Sequence, residues 1–530
     1  MATPKSQSPV PGGRPARHVS ADAAAPVRPR PDRLEYAVLA LLYAILVIVR
    51  VYNIAGPIDD PHSWRQADTA NYAREFYRHG MNILRPMVCW QGSAPVVALE
   101  FPLYEWLVAL FYLPFGEHIA FGRALSLVSW CVAAIYLYLI VRRWGDARWA
   151  RWTALLFSAA PLGIYYSRAI HIEYFTTATA HAMAYHFMRA LDASGPPAGW
   201  RKHALAGALY GMASFATKLP YPALLYAPLG IVALRAGNRM RSLTMIPWLA
   251  LPWLAFMAWR VHANHINRAA PDYSWNPGMS SLVHMEWWYY GSLAQRLVFT
   301  NWLFLGARIL FECLTPLGVP LLGIGTVMAR RNALKHEILR WWLVAAVVYL
   351  LVFWNLNGQH NYYQIPFIAP LAIVMGVPLA RWMERGRMLR TVAVAVAAGF
   401  TLYACNYALT AYFIPDPIVQ VVGKEIRART MPADIVLGAS ATTHPGDPRV
   451  LYAADRHGFM ILDKALTKER LDRFIASGAT FLAVIVTDEQ AVPAVFQGYR
   501  VTRVRMREGA KMVATLYCAR LRAPVREVTP

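Results

Sequence analysis

Nine stretches of this 530-residue chain are apolar for long enough to cross a bilayer, near 34–51, 119–141, 149–167, 173–190, 243–262, 311–329, 338–355, 363–382 and 390–410. A helix needs roughly 17–25 such residues to span the hydrocarbon core. A tenth stretch, 204–235, is broken at Lys218-Leu219-Pro220-Tyr221-Pro222 and reads as a tight hairpin of two short spans. The pattern predicts a polytopic α-helical membrane protein with about eleven transmembrane helices. Composition agrees, with 57% hydrophobic and 16% charged residues, against roughly 25% charged in soluble chains. Soluble enzymes, disordered chains and fibrous proteins are thereby excluded. Cys89, Cys131, Cys313, Cys405 and Cys518 form no CxxC pair, so neither a disulfide framework nor a cysteine-rich metal site is indicated.

The net charge of +23 would suit a nucleic-acid partner, but such binders are rarely this apolar. Basic loops on the cytoplasmic face explain it instead. The clusters Arg142/Arg143/Arg148/Arg151, Arg201/Lys202, Arg235/Arg239/Arg241, Arg330/Arg331/Lys335 and Arg381/Arg385/Arg387/Arg390 all fall inside on two conditions. The N-terminus must be cytoplasmic, and segment 101–115 must not cross. That segment is short, carries Glu105, and fits an interfacial helix on the outer leaflet. Residues 1–33 read as a disordered basic cytoplasmic tail (Arg14, Arg17, Arg28, Arg30, Arg33) with no signal-peptidase site, making the first apolar run a retained anchor.

This topology places loops 52–118, 263–300 and 355–362 outside, followed by 411–530. The last segment alternates strand-like runs (Ile435–Leu437, Thr480–Val486, Met512–Cys518) with a helix-like stretch (Lys468–Ala476), predicting a small α/β domain. The transmembrane domain would thus occupy 34–410.

The candidate chemistry lies on the outer side. The first loop holds seven acidic residues against four basic ones, and it opens with Asp59-Asp60-Pro61-His62-Ser63-Trp64-Arg65-Gln66-Ala67-Asp68. Asp59, Asp60 and Asp68 could supply a general base or coordinate a cation, while Asp-Asp-Pro is also ordinary helix-start chemistry. A second constellation is Ser167-Arg168-Ala169-Ile170-His171-Ile172-Glu173. Ionisable groups at membrane depth cost about 2.5–3.5 kcal/mol each and usually have a task; the plain alternative is an Arg168–Glu173 surface pair. Lys218, at the tip of the interrupted hairpin, either snorkels to the headgroups or holds a lipid phosphate.

The turn Asn355–Gln364 carries His360, Asn361, Tyr362 and Tyr363. It is either a well-bonded connection or a binder of phosphate or sugar hydroxyls. His284, Glu286, Trp287, Trp288, Tyr289 and Tyr290 cluster aromatics with an acid, as a sugar site or an aromatic belt would. Arg308 and Glu312, at i and i+4, predict a helix-internal ion pair.

Several of these features together resemble the GT-C superfamily of polyprenyl-phosphate-sugar-dependent glycosyltransferases. They are the acidic first loop, the Glu100-Phe101-Pro102-Leu103-Tyr104-Glu105-Trp106-Leu107 segment, the Lys-Pro hairpin and the His360-Asn361-Tyr362-Tyr363 turn. The chain is similar to glycosyltransferase family 39, the protein O-mannosyltransferase group, and to the bacterial lipid A aminoarabinose transferase. His62-Ser63-Trp64-Arg65-Gln66-Ala67-Asp68, followed by Ala73-Arg74-Glu75-Phe76, looks like the first-loop signature of a bacterial branch of family 39. The resemblance covers roughly 34–410, and Arg456-His457-Gly458 of the tail is also similar to that branch.

The resemblance implies that a first-loop acid is the catalytic base or orients the acceptor, with Asp59, Asp60 and Asp68 competing for the role. Arg65-Gln66 stands where other members carry an Asp-Glu pair. Glu173, with Arg168 and His171 beside it, matches the family's second acidic position. Thr217-Lys218-Leu219-Pro220 is similar to the family's Thr-Lys-Gly-Pro, with Leu219 in place of Gly. Where the aminoarabinose enzyme has a lysine in its interfacial helix this chain has Phe101, so Lys218, His360 and Arg268 are the candidate lipid-phosphate cations. The substrate-side set also includes His62, Arg65, Gln66, Tyr362 and Tyr363.

The implied activity is inverting transfer of a sugar from polyprenyl phosphate to a glycolipid, glycan or protein acceptor on the periplasmic face of a bacterial inner membrane. Such a reaction belongs to lipopolysaccharide or cell-envelope biosynthesis or to protein glycosylation. No organic cofactor is implied, a divalent cation is a candidate, and no nucleic-acid partner is expected. The alternatives are a transporter or flippase of lipid-linked sugars, an oligosaccharyltransferase or O-antigen ligase using a diphosphate carrier, and a non-catalytic scaffold. Internal repeats, common in transporters, are absent from the sequence, which favours an enzyme.

Overall fold

The computed structural model describes residues 32–191, 199–235, 239–270, 286–330, 334, 336–443, 446–486, 493–508 and 511–521. The basic tail before residue 32 and the loop residues around His284 lie outside the described residues.

Every apolar run read from the sequence is helical. The chain begins with α1 (Arg33–Val51), capped by the Asp32 side chain. The first outer loop then folds into α2 (Ser63–His79) and α3 (Leu103–Phe115). Next come α4 (Ile119–Trp144), α5 (Ala147–Ser158) and α6 (Pro161–Tyr166), the last two separated where Ala160-Pro161 interrupts the run. They are followed by α7 (Ile172–Ala190), α8 (Trp200–Lys218), α9 (Pro220–Arg235) and α10 (Arg239–Ala269). The Phe215 and Tyr226 rings lie 5.1 Å apart. In one straight helix, eleven residues at 1.5 Å each would separate them by about 16 Å, so the chain doubles back at Leu219-Pro220 as expected.

Beyond the second outer loop come α11 (Glu286–Tyr290), α12 (Leu293–Leu297) and α13 (Phe299–Arg308), the last running into a π-turn, Ile309–Leu314. The bundle continues with α14 (Gly318–Ala329), α15 (Glu337–Val352), α16 (Trp354–Gln359), α17 (Ile365–Met383) and α18 (Arg387–Tyr407). A second π-turn, Ala408–Tyr412, follows α18.

Among the described residues four helical stretches are long and apolar enough to cross a membrane: Arg33–Val51, Ile119–Trp144, Asn361–Met383 and Arg387–Tyr412. Phe299–Leu314 with Gly318–Ala329, bent by 82°, forms a fifth candidate. The protein is a membrane protein built mainly of helices. α3 is too short to join this set: it buries Tyr104, Glu105, Val108 and Tyr112 and exposes Phe111, Leu113 and Phe115, the two-sided pattern of a helix lying along a surface.

Members of three basic clusters, Arg148 with Arg151, Arg235 and Arg390, pair with acids at one end of the bundle. Glu35, at the start of α1, accepts from Arg148 at 2.7 Å and Arg151 at 2.9 Å. Arg148 also pairs with Glu384, and Arg390 with Asp32. Trp144 stacks on His336 with ring centroids 5.5 Å apart, and Arg235 pairs with Glu337. The candidate site occupies the opposite end, where α1 finishes and α2 begins.

The C-terminal segment adds α19 (Ile418–Arg429), β1 (Ile435–Ser440), α20 (Arg449–Ala454), β2 (His457–Leu462), α21 (Lys468–Ala476), β3 (Phe481–Val486), β4 (Thr502–Glu508) and β5 (Lys511–Arg520). The sheet order is β2-β1-β3-β5-β4. β1 is parallel to β2 and β3, and β5 runs antiparallel to both of its neighbours. The edge strand β2 is not left open: Gly92 N–H donates to Gly458 O and Gly458 N–H to Cys89 O, each at 2.8 Å. The first outer loop thus pairs with the sheet edge, and Tyr72, Phe76, Val88 and Trp90 share a core with Ile426, Leu451, Met460 and Leu516.

Candidate active site

The first loop is held by backbone capture. Tyr52 caps the end of α1, and Asn53 turns the chain with a left-handed φ of 50°. The carbonyls of the turn that follows have no helical donor. Arg123 of α4, 1% exposed, supplies one, bonding the carbonyls of Asn53, Ile54 and Gly56 at 3.3, 2.9 and 2.6 Å and of Pro57 at 3.0 Å. Arg168 adds a bond of 2.9 Å to Asn53 O and lies over the Phe413 ring at 4.4 Å. The surface pair of Arg168 with Glu173 is not formed, because the two side chains are turned to different partners.

The captured loop delivers Asp60 into a buried pocket. Gln66 Nε2 donates to both carboxylate oxygens at 2.8 Å, the Tyr165 hydroxyl donates to Oδ1, and the His62 backbone N–H caps the same oxygen at 3.2 Å. Gln66 in turn donates to the Tyr165 hydroxyl at 3.0 Å and accepts from Ile170 N–H at 3.3 Å. The His62 ring is surrounded by Tyr165, Tyr166 and Tyr412, with centroids 5.6–6.0 Å away, and burial lowers its basicity. Asp59 is half-buried, and burial together with the Asp60 charge holds its carboxyl above the usual range.

Asp68 faces a different partner set. It accepts from Trp90 Nε1 at 2.9 Å and lies 4.0 Å from Arg65, which itself holds Glu100 at 2.5 Å. Burial outweighs these contacts and pushes the Asp68 carboxyl up to about 7.

The second constellation assembles around a buried ion pair. Glu173 binds the Lys218 ammonium, and His171 Nδ1 lies 3.4 Å from the same Glu173 oxygen. Lys218 also lies over the rings of Tyr362 and Tyr363, at 4.3 and 4.4 Å, a favourable placement for a desolvated cation. Both ring nitrogens of His171 and one oxygen of Glu173 are buried without a hydrogen-bond partner, which marks polar capacity that the protein does not use. Tyr166 joins the two constellations: its ring lies 4.8 Å from Tyr165 and 5.1 Å from His171. His360 stacks on Tyr362 at 4.9 Å, and burial lowers it to about 4, leaving it neutral.

A cavity of about 740 Å³ opens beside Lys218. Lys218, Glu100, Arg260 and Tyr363 stand on its wall, and Leu224, Ile231, Trp253 and Val348 make the rest apolar. Arg268 does not line it; it is exposed at the end of α10. Arg260, two turns earlier, takes the cavity position.

Glu312 departs from the expected pair with Arg308. Its carboxylate accepts from Tyr412 at 2.6 Å and Asn361 at 2.9 Å, while Arg308 donates to the carbonyls of Asn357 and Gly358. The π-turn is the cause: a wider turn takes position i+4 off the face of position i.

Among the described residues no three His, Cys, Asp or Glu side chains converge as metal ligands. Both Asp60 oxygens accept hydrogen bonds from protein donors. Sequence reasoning missed Tyr165, Arg123 and Arg260. Arg123 carried a signal, since an arginine inside the apolar run 119–141 is costly unless it has partners.

The model of the family described as dolichyl-phosphate-mannose-protein mannosyltransferase matches residues 95–262. No curated protein matches the chain by sequence. Among solved structures, ArnT from Cupriavidus metallidurans bound to undecaprenyl phosphate superposes with a TM-score of 0.60 at 16% identity, over 92% of this chain and 98% of that one. The chain has the fold of that structure. Arabinofuranosyltransferase AftD from Mycobacteria shares the fold with a TM-score of 0.58 at 16% identity, over 92% of this chain and 40% of that one. The archaeal oligosaccharyltransferase AglB from Archaeoglobus fulgidus gives 0.55 at 11% identity, over 91% and 74%. In this chain, the buried carboxylates and the lysine-headed cavity lie at the end of the bundle where the C-terminal sheet docks.

Proposed function

We propose that this protein is an inverting glycosyltransferase that moves a sugar from a polyprenyl phosphate to a hydroxyl acceptor of the cell envelope. The single observation that carries the reading is the cavity headed by Lys218: an apolar channel for a lipid tail that ends on a cation, close to buried carboxylates. The solved ArnT with the same fold is bound to undecaprenyl phosphate. The proposed architecture has about eleven membrane helices over 34–410, a cytoplasmic tail at 1–33 and a periplasmic domain at 411–530. The membrane is the bacterial inner membrane.

In the proposed reaction Asp60 removes the proton from the acceptor hydroxyl as its oxygen bonds to the anomeric carbon. The bond from that carbon to the phosphate oxygen breaks, and its electron pair leaves with the polyprenyl phosphate. A single displacement inverts the anomeric centre. Lys218, with Arg260 on the same cavity wall, stabilises the charge that develops on the departing phosphate. Glu173 keeps Lys218 ionised in a dry setting and hands it to the phosphate, with His171 beside it. Tyr362, Tyr363 and His360 form the aromatic wall against which the sugar packs. Arg65, with Asp68 beside it, holds Glu100 on the cavity wall.

The test is reconstitution of the purified protein in vesicles with undecaprenyl-phosphate-linked sugars and candidate acceptors. Release of undecaprenyl phosphate together with a glycosylated acceptor is the expected result. Movement of intact lipid-linked sugar between leaflets, without release, would show a transporter instead. Turnover restricted to diphosphate carriers would show an oligosaccharide ligase.

A further inference from the structure

Arg123 donates four hydrogen bonds at this end of the bundle, and the proposed reaction gives it no part. Its guanidinium touches no carboxylate at ion-pair distance among the described residues; it is spent on four consecutive-loop carbonyls, those of Asn53, Ile54, Gly56 and Pro57. A buried arginine with only backbone partners is costly to place. The arrangement acts on the loop: it fixes the backbone between the end of α1 and Asp60.

We infer that Arg123 is a positioning residue, whose clasp on the 53–57 carbonyls sets the place of the Asp60 carboxylate against Gln66 and Tyr165. The inference rests on Asp60 being the base. Downstream of the clasp, only Ile58 and Asp59 separate Pro57 from Asp60. Ile58 is itself buried, with its carbonyl held by Gln420 at 2.9 Å, and the Asp59 carbonyl accepts from Asp416 N–H. A carboxylate so close to the clasp has little freedom left. Placement of the reacting group matters steeply, since an error of about 1 Å costs on the order of a hundredfold in rate. Only arginine suits the role, because its planar fork presents several donors at fixed angles whereas a lysine ammonium is a point charge.

The experiment compares wild type, Arg123→Gln and Arg123→Lys in vesicles. It measures kcat and KM for the undecaprenyl-phosphate sugar, and hydrogen exchange of the backbone amides at 53–60. The expected result for Arg123→Gln is a kcat at least tenfold lower, a donor KM within about twofold of wild type, and faster exchange confined to that loop. Arg123→Lys keeps the charge and is expected to fall between the two. Wild-type exchange and wild-type kcat in both variants would overturn the inference. So would faster exchange spread through α4 in both, since that is a loss of fold. If wild type transfers no sugar while the loop still loosens in the variants, the glycosyltransferase reading fails and the clasp stands.

Discussion

Gln66 Nε2 lies 2.8 Å from both carboxylate oxygens of Asp60. One amide thereby spans the two oxygens. Among the described residues, Asp60 is the first-loop aspartate that Gln66 holds. Hydrogen bonds to a charged group are worth about 1.5–3 kcal/mol. Gln66→Ala is expected to lower kcat for sugar transfer by about 10–100-fold with donor affinity within twofold, measured by steady-state kinetics.

Lys218 and Glu173 form a buried pair. Removing one partner of such a pair costs about 3–5 kcal/mol because the other charge is left in the dry interior. Glu173→Gln and Lys218→Met should each lower the thermal midpoint in detergent, while the double variant recovers most of the loss. Lys218→Met should also lose undecaprenyl phosphate binding, and the double variant should not regain it.

Asp68 gives a pH signature. Its folded-state pKa, about 7, lies above its ordinary value of 3.8, so the folded protein binds the proton more tightly than the unfolded chain does. Its contribution to stability is full below about pH 4 and is lost as pH rises towards 7. Asp68→Asn should flatten the thermal-stability profile over that window. A profile unchanged by the substitution would show that Asp68 does not titrate there.

The C-terminal sheet holds the first loop. A Cβ at Gly458 would lie 1.9 Å from Val436 O, inside the β1–β2 ladder. Gly458→Val should force β2 off its neighbours and free residues 89–92 with it. Limited proteolysis should then cleave the first loop near Trp90, where wild type resists.

Much of this was legible in the sequence because apolar length is written directly into it. The runs at 119–141 and 390–410, and the break at Lys218-Leu219-Pro220, became helices and a turn with little adjustment. Strands β2 and β4 were missed for different reasons. β2 is a short buried run, Gly458–Ile461, with no alternation to mark it, and in β4 the residues Arg503, Arg505 and Arg507 disguise an edge strand as a solvated stretch. The site followed the same division. Asp60, Glu173, Lys218 and Tyr362 stood out as polar groups beside apolar runs. Tyr165 and Arg260 did not, because their roles depend on which helix faces which. The Arg308–Glu312 spacing misled, since a π-turn leaves no trace in a count of four.

The central claim is that Asp60 is the base for transfer from a polyprenyl phosphate bound at Lys218. The most direct measurement is single-turnover transfer of labelled sugar from undecaprenyl phosphate by wild type and Asp60→Asn, with undecaprenyl phosphate binding measured on the same samples. The account predicts that Asp60→Asn binds the lipid as wild type does and transfers at least a hundredfold more slowly. Equal transfer rates in the two proteins would contradict it.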